Sequence, residues 1–80
     1  MTAALSAVAL GRAVRARRRA LGLTQEDLAE RSGLHRTYVS GVECGQRNLS
    51  FANLVETAAA LELPLSELVA DAELHSEQPR

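Results

Sequence analysis

The chain contains 80 residues, which is enough for one small domain and leaves no room for a second hydrophobic core. A single Cys excludes a disulfide framework and a thiolate metal cluster, and a lone thiol predicts a reducing, cytoplasmic setting. The formal net charge of −1 argues against a uniformly basic coat protein or nucleic-acid condenser. With one Tyr and one Phe, the core must be built from Leu, Ala and Val, a composition that favours helices.

Charge is distributed unevenly along the chain. Residues 1–47 carry eight Arg against four acidic residues, a net +4, whereas residues 48–80 carry one Arg against six acidic residues, a net −5. All nine basic residues are Arg, whose planar guanidinium suits bidentate binding of phosphate or guanine. This asymmetry indicates a polyanion-binding face on one half of the domain, and the alternative is that the charges only solvate helix surfaces. No apolar run approaches the roughly 18 residues of a membrane span, so we expect none.

Periodicity predicts three helices in the first half of the chain, from Ala4 or Gly11 to Leu21, from Thr24 to Ser32, and from Arg36 to Cys44. Each is followed by a glycine that is able to end a helix, namely Gly22, Gly33 and Gly45. Thr24 and Asp27 form a capping-box-like pair at the start of the second helix.

Two further helices are predicted in the second half, one over Phe51 to Leu61 with Ser50 as its N-cap, and one beginning near Pro64. Apolar residues recur with the helical period in the fourth helix at Phe51, Leu54, Val55, Ala58 and Leu61, and in the fifth at Leu65, Leu68 and Val69. From Asp71 the chain is polar and acidic, and we expect it to fray by His75. Five helices without an alternating segment predict an orthogonal all-α bundle.

The segment from Gln25 to Cys44 meets the requirements of two helices packed almost at right angles through a tight turn. A small residue is needed where the second helix crosses the first, and Ala29 stands there. The turn needs a residue that tolerates positive φ, which Gly33 supplies. The apolar anchors and wedge residues are Val39, Val42, Leu28 and Leu34. Together these six constraints indicate a DNA-reading helix-turn-helix.

The chain resembles the Cro/repressor-type (Xre) helix-turn-helix family over about residues 10–69, in the stretches RRRALGLTQEDLA and LSFANLVETAAALELPLSEL. Within that family, LHRTYVSGVECGQRNLS is most similar to the small controller proteins of restriction–modification systems. The resemblance implies a compact five-helix, lambda-repressor-like domain over residues 10–70. An N-terminal extension or helix start would occupy residues 1–9, and a polar tail residues 71–80.

The resemblance further implies that the third helix enters the major groove of DNA while the second lies across the phosphates. Four outward side chains of the third helix are then assigned to base readout: Arg36, Thr37, Tyr38 and Ser40. Arg36 suits the O6 and N7 atoms of guanine, whereas Gly41 takes an outward position and contributes no side chain. The alternative is that Arg36 and Thr37 only solvate an exposed helix start.

Phosphate contacts are predicted for Gln25, His35, Arg47 and Asn48. The alternative is minor-groove contact for Arg47 and Asn48, and a role in the turn for His35. The resemblance also pairs Arg18 with Glu43 in a structural ion pair. The remaining arginines of the first helix are interpreted as a solvated face, with DNA contact as the alternative: Arg12, Arg15, Arg17 and Arg19. Cys44 stands where relatives often carry Arg or Asn, so a phosphate contact is expected to be lost there, and we favour an inert small filler over a redox sensor.

Residue patterns of enzymes and cofactor sites are missing from the sequence. We find no paired-carboxylate spacing, no phosphate-cradling glycine loop and no metal-ligand cluster. We therefore predict no enzymatic activity, no metal, no cofactor and no small-molecule ligand.

A single helix-turn-helix reads about four or five base pairs, so we predict a homodimer with recognition helices about 34 Å apart on a pseudo-palindromic operator of double-stranded DNA. Candidate interface residues are Val55, Ala59, Leu63, Leu65 and Val69, and the alternative for each is a place in the monomer core. The predicted function is transcriptional regulation. An antitoxin-like or other protein-interaction module with the same fold is the alternative.

Overall fold

The computed structural model describes residues 6–76, and within that range it contains five helices and no strand. The helices are α1 (Ala7–Ala20), α2 (Gln25–Ser32), α3 (Arg36–Glu43), α4 (Phe51–Ala60) and α5 (Leu65–Ser76). The predicted all-α, five-helix architecture is confirmed. Residues 1–5 and 77–80 lie outside the described part of the chain, and so do the helix start considered at Ala4 and the end of the predicted tail.

Helix α1 begins at Ala7, between the two starts considered from the sequence. Ser6 is its N-cap, and the Ser6 Oγ accepts a hydrogen bond of 3.1 Å from the backbone N–H of Ala9. The extra turn ahead of Gly11 is retained because Ala9 and Leu10 are both buried.

The connection between α1 and α2 follows the predicted turn chemistry. Gly22 adopts a φ of +73°, and the N–H of Leu23 returns to the carbonyl of Arg18 at 3.0 Å. A reciprocal capping box opens α2: the N–H of Asp27 donates to Thr24 Oγ1 at 3.0 Å, and the N–H of Thr24 donates to Asp27 Oδ2 at 2.9 Å. Hydrogen bonding with the backbone and side chain of Thr24 holds the pKa of the Asp27 carboxyl below its ordinary value. The carboxylate therefore stays charged at the positive end of α2.

The core lies where α1, α2, α4 and α5 meet, and its largest fully buried side chains are Leu28, Leu61, Leu68 and Val14. Helix α1 packs against α5 and α3, while α2 packs against α3 and α4. Helix α3 is therefore held mainly by α1 and α2.

The crossing of α1 over α3 depends on the absence of a side chain at Gly11. A Cβ atom at this position would overlap the carbonyl oxygen of Val42 and lie 3.0 Å from that of Glu43. Both obstacles are backbone atoms, which cannot move aside as a flexible side chain can. Gly11 thus sets how closely α3 approaches the bundle.

The structure decides the burial of two apolar residues that the sequence left open in the second half. Phe51, the first residue of α4, is 75% exposed. Leu63, predicted at the dimer interface, is only 9% exposed and belongs to the core cluster. Helix α5 runs to Ser76 and buries Ala72 completely. Residue 70 lies within that helix, and the domain boundary placed there stays a prediction.

Residues 6–76 contain neither a membrane-spanning helix nor a metal-binding cluster. None of the helices there combines the length and the hydropathy that a bilayer span requires. No group of three or more His, Cys, Asp or Glu side chains in the same range is placed to hold a metal ion.

Candidate nucleic-acid interface

The α2–α3 unit has the packing expected of a helix-turn-helix. Gly33 ends α2 with a φ of +75°, and the N–H of Leu34 returns to the carbonyl of Ala29 at 3.0 Å. Ala29 is buried at the crossing, and Val39 and Val42 are 3% and 2% exposed on the inner side of α3. The small residue, the glycine and the paired anchors therefore occupy the places that their types require.

A buried ion pair fixes the C-terminal end of α3 to α1. Arg18 Nε lies 2.6 Å from Glu43 Oε2, and Arg18 Nη2 lies 2.9 Å from Glu43 Oε1, which makes the pair bidentate. Arg18 Nη1 also donates to the carbonyl of Leu23 at 2.8 Å. The hydrogen bond with Glu43 raises the pKa of Arg18 above its ordinary value, against the opposing effect of burial. The ion pair that the resemblance implied is present.

Gln25 joins this network from the first turn of α2. Its Nε2 donates to Glu43 Oε1 at 3.0 Å, and the residue is half-buried. One of the two N–H donors of the Gln25 amide is therefore used within the protein. The phosphate contact assigned to this residue stays a prediction, and the neighbouring exposed carboxylates of Glu26 and Asp27 do not favour it.

The N-terminal end of α3 is uncovered. His35, Arg36 and Thr37 are exposed, and Ser40, one turn further, is half-buried. His35 is the N-cap residue and makes no capping hydrogen bond with its side chain. In contrast, the side chains of Ser6, Thr24 and Ser50 cap α1, α2 and α4. The first N–H groups of α3 are thus left available to an outside acceptor.

Tyr38 is engaged inside the protein. Its hydroxyl donates to the backbone carbonyl of Asn48 at 3.0 Å and receives a 3.4 Å hydrogen bond from Asn53 Nδ2. These bonds connect α3 with the loop that follows it and with α4. Because the single hydroxyl proton is already used, readout of a base donor–acceptor pattern by Tyr38 would require this arrangement to open.

The loop after α3 covers Gly41, contrary to the prediction that this residue faces outward. Gly41 is buried because the aliphatic part of Arg47 lies across it, 3.0 Å from the place of a Cβ atom. The guanidinium carbon of Arg47 lies 5.9 Å from the centre of the Tyr38 ring. Arg47 and Asn48 are both exposed, so the two residues assigned to phosphate contact are accessible beside α3.

The arginines of α1 divide into two groups that the sequence did not separate. Arg12, Arg15 and Arg19 are exposed, in agreement with a solvated face. The exception is Arg17, whose Nε donates to the carbonyl of Leu61 at 3.0 Å and so ties α1 to the end of α4. Nothing in the local pattern around Arg17 signals a backbone acceptor that is 44 residues away in the chain.

Cys44 is exposed at the C-cap of α3. The interpretation as a small filler is therefore wrong, since the side chain occupies no internal space. The described structure pairs it with no second thiol, and the sequence contains none.

The predicted dimer residues also separate by burial. Val55 is 39% exposed and Ala59 is exposed, whereas Leu65 and Val69 are half-buried, and Leu65 packs against the core. Phe51 lies one turn before Val55 on the same side of α4. Phe51, Val55 and Ala59 form an apolar stripe on α4, and we refer to them as the α4 stripe.

Two helices joined through a left-handed glycine, with the second anchored on one side and uncovered at its N-terminus, define a helix-turn-helix DNA-binding domain. Residues 14–68 match the family model described as helix-turn-helix. The chain belongs to that family, in its Xre type, as the sequence motifs predicted.

Similar proteins narrow the class further. The chain is 43% identical to the control protein C.SmaI of Serratia marcescens over 65 residues, which cover 81% of this chain and 77% of that protein. It is 50% identical to the restriction–modification controller protein C.AhdI of Aeromonas hydrophila, with a TM-score of 0.76 over 78% of this chain and 94% of the other. The controller C.Esp1396I, solved as a nucleoprotein complex, is 30% identical, with a TM-score of 0.83 over 91% of this chain and 95% of the other. The predicted similarity to restriction–modification controllers is confirmed.

Proposed function

We propose that this protein is a sequence-specific regulator of transcription that binds double-stranded DNA as a homodimer on a pseudo-palindromic operator. The observation that carries the proposal is the two-sided character of α3. Val39, Val42 and Glu43 are buried and hold its inner side, whereas Arg36 and Thr37 are exposed at its start. Such a helix is rigidly held and free to enter a major groove. The similar controller proteins, one of them solved as a nucleoprotein complex, support this function.

Base readout in this proposal depends on the first turn of α3. The guanidinium of Arg36 bonds the O6 and N7 atoms of guanine, and Thr37 contacts the neighbouring base edge or a thymine methyl group. Ser40, one turn later, reaches only the edge of this contact because it is half-buried. Tyr38 acts here through the loop that it holds, since its hydroxyl bonds Asn48 and Asn53.

Phosphate contacts supply most of the binding free energy and depend on salt. Arg47 and Asn48 approach the backbone from the loop after α3, and His35 does so from the uncapped start of that helix. In this proposal Arg47 and Asn48 bind the phosphates of one strand, and His35 binds those of the other. Occupancy of the operator then blocks or assists RNA polymerase, and the protein works in the cytoplasm, on the nucleoid.

Dimerisation in this proposal uses the α4 stripe. Phe51 and Val55 expose apolar surface that the described part of the monomer does not cover. A two-fold axis through this stripe makes the contact self-complementary and places two copies of α3 about one DNA turn apart. Val69 is a neighbouring candidate, whereas Leu63 serves the monomer core.

Replacement of Arg36 by Ala is expected to weaken operator binding by about 1–3 kcal/mol, roughly 5- to 150-fold in Kd, and to relax selection at one base position. Arg36 is exposed, so the fold should be unchanged. The measurement is selection of preferred sites from random duplexes, followed by titration of the best site at several salt concentrations. Arg12→Ala is the matched control, because it removes the same charge from an exposed position on α1.

The expected control result is binding within about twofold of wild type with unchanged site preference. Wild-type selectivity in Arg36→Ala would contradict base readout by that residue. A wild-type protein with no salt-dependent affinity for any duplex would contradict the whole proposal and would favour the protein-interaction module instead.

Replacement of Val55 by Glu is expected to convert the dimer to a monomer and to weaken binding of a two-half-site operator by more than about tenfold, because an unpaired carboxylate would be buried at the interface. Sedimentation equilibrium gives the association state. Leu74→Glu is the matched control, since Leu74 is 64% exposed on α5 and lines a surface depression together with Ala16 and Ala20 of α1. A Val55→Glu protein that remains dimeric would place the interface elsewhere.

A further inference from the structure

We infer that Gly41 is a positioning residue of the recognition surface, because its missing side chain creates a seat in which Arg47 is held against α3 for contact with a DNA phosphate. The inference rests on the proposed function and assigns a role to a residue that carries no side-chain chemistry of its own. We call the surface formed by Gly41 and the ring of Tyr38 the Arg47 seat.

On one side, Arg47 packs directly against the backbone of α3 at Gly41. A Cβ atom at Gly41 would lie 3.0 Å from Arg47 Cδ and 3.2 Å from both Cγ and Nε, so the side chain of Arg47 occupies the space that any other residue would fill. Glycine is a poor helix former, yet Gly41 lies in the interior of an eight-residue helix with an ordinary, negative φ. The close approach of Arg47 is the feature that requires glycine at this position.

On another side, Arg47 contacts the aromatic ring of Tyr38, which is held in place by hydrogen bonds of its hydroxyl group. The guanidinium carbon of Arg47 is 5.9 Å from the ring centre, within the range of a cation–π contact. The ring cannot swing freely, because its hydroxyl donates to Asn48 and accepts from Asn53. Gly41 and the ring of Tyr38 therefore restrict Arg47 from two sides.

The seat has a consequence for binding. A free arginine side chain loses considerable rotamer entropy when it contacts a ligand, and a side chain that is already restricted loses less. Arg47 remains exposed in the seat, so its guanidinium is available to a phosphate beside α3. The loop after α3 thus places the positive charge of Arg47 beside Gly41, where α3 itself has no side chain.

The first measurement needs no DNA. The ¹⁵Nε relaxation of Arg47 in the free wild-type protein should report an ordered side chain, and Gly41→Ala should make it mobile. The exposed Arg12 is the internal reference and should be mobile in both proteins. The Tm of Gly41→Ala should equal or exceed that of wild type, because the new methyl group meets only a flexible side chain and alanine favours the helix. A mobile Arg47 in the wild-type protein would overturn the inference.

The second measurement is a double-mutant cycle on operator DNA. Gly41→Ala should weaken binding roughly 3- to 10-fold, close to the effect of Arg47→Ala, and Gly41→Ala should have no further effect in the Arg47→Ala background. Both single variants should lower the slope of log K against log salt by about 1. If the losses of binding free energy in the two single variants add in the double variant, the new methyl group itself clashes with DNA. If the salt slope is unchanged and the base preference is relaxed, Arg47 contacts a base edge and not a phosphate. Either result would overturn the inference.

The two measurements separate this inference from the proposed function. If no variant binds DNA, the proposed function fails while the ordering of Arg47 by Gly41 is still tested in the free protein.

Discussion

Replacement of Glu43 by Ala is expected to destabilise the protein by about 3–5 kcal/mol, the largest effect of any single side chain outside the apolar core. Removal of the carboxylate leaves the guanidinium of Arg18 buried without its bidentate partner. It also removes the acceptor of the Gln25 amide, so that α1, α2 and α3 lose their common polar connection. Since small domains have total stabilities of about 5–15 kcal/mol, the variant should be studied by urea titration at low temperature.

The exposed Arg31–Glu62 pair provides the control for this prediction. Its N–O distance of 3.1 Å is comparable, but the side chains are 44% and 61% exposed, so Glu62→Ala should cost less than about 1 kcal/mol. A double variant with Leu at both positions 18 and 43 should recover most of the loss, because the buried charge is then gone. Equal costs for Glu43→Ala and Glu62→Ala would show that burial of the first pair does not matter.

Replacement of Gly11 by Ala is expected to destabilise the protein by about 3 kcal/mol, despite the gain of about 1 kcal/mol in helix propensity. The added methyl group would meet the carbonyl oxygens of Val42 and Glu43, which belong to the backbone of α3 and can move only if the whole helix moves. We therefore also expect weaker operator binding, because α3 would be displaced from the bundle. Thermal unfolding and DNA titration measure the two effects.

Gly41→Ala is the matched comparison, since both glycines lie inside helices and neither has a positive φ. At Gly41 the nearest atoms belong to the flexible side chain of Arg47, so the substitution should not destabilise the fold. Of the two alanine variants, only Gly11→Ala is thus expected to lower stability. A Gly11→Ala protein as stable as wild type would show that α1 and α3 separate easily.

The helix-turn-helix itself was predictable because its constraints are local. Thr24 and Asp27 lie in one helical turn, and Gly33 must provide the positive φ of the connection wherever the domain is placed. Ala29 and Val39 are specified by how two consecutive helices cross. Short separation in the chain makes such constraints visible as a spacing of residue types.

The recognition surface was less predictable, since part of it is assembled from outside α3. A helical wheel places Gly41 outward, and only the path of the following loop brings Arg47 over it. The hydroxyl of Tyr38 would suit a base equally well if Asn48 and Asn53 were elsewhere. Contacts made by long or polar side chains depend on the exact course of the chain, which residue type does not encode.

The burial of apolar residues in the second half of the chain was hard to predict for a different reason. The sequence shows only that Phe51 and Leu63 are apolar, but one is 75% exposed and the other is 9% exposed. The hydrophobic effect has no direction. An apolar stripe on a helix therefore does not indicate whether the core of the same domain or a second molecule covers it.

By itself, the sequence determined five helices, the N-caps at Thr24 and Ser50, the helix-turn-helix and the family, because each depends on neighbours in the chain or on a repeated spacing. Only the tertiary structure decided that Arg17 ties α1 to α4, that Leu63 lies in the core and that Arg47 lies over Gly41. These contacts join distant or independently placed segments. Their partners are chosen by packing of the whole domain, which is a property of the folded chain and not of any short stretch within it.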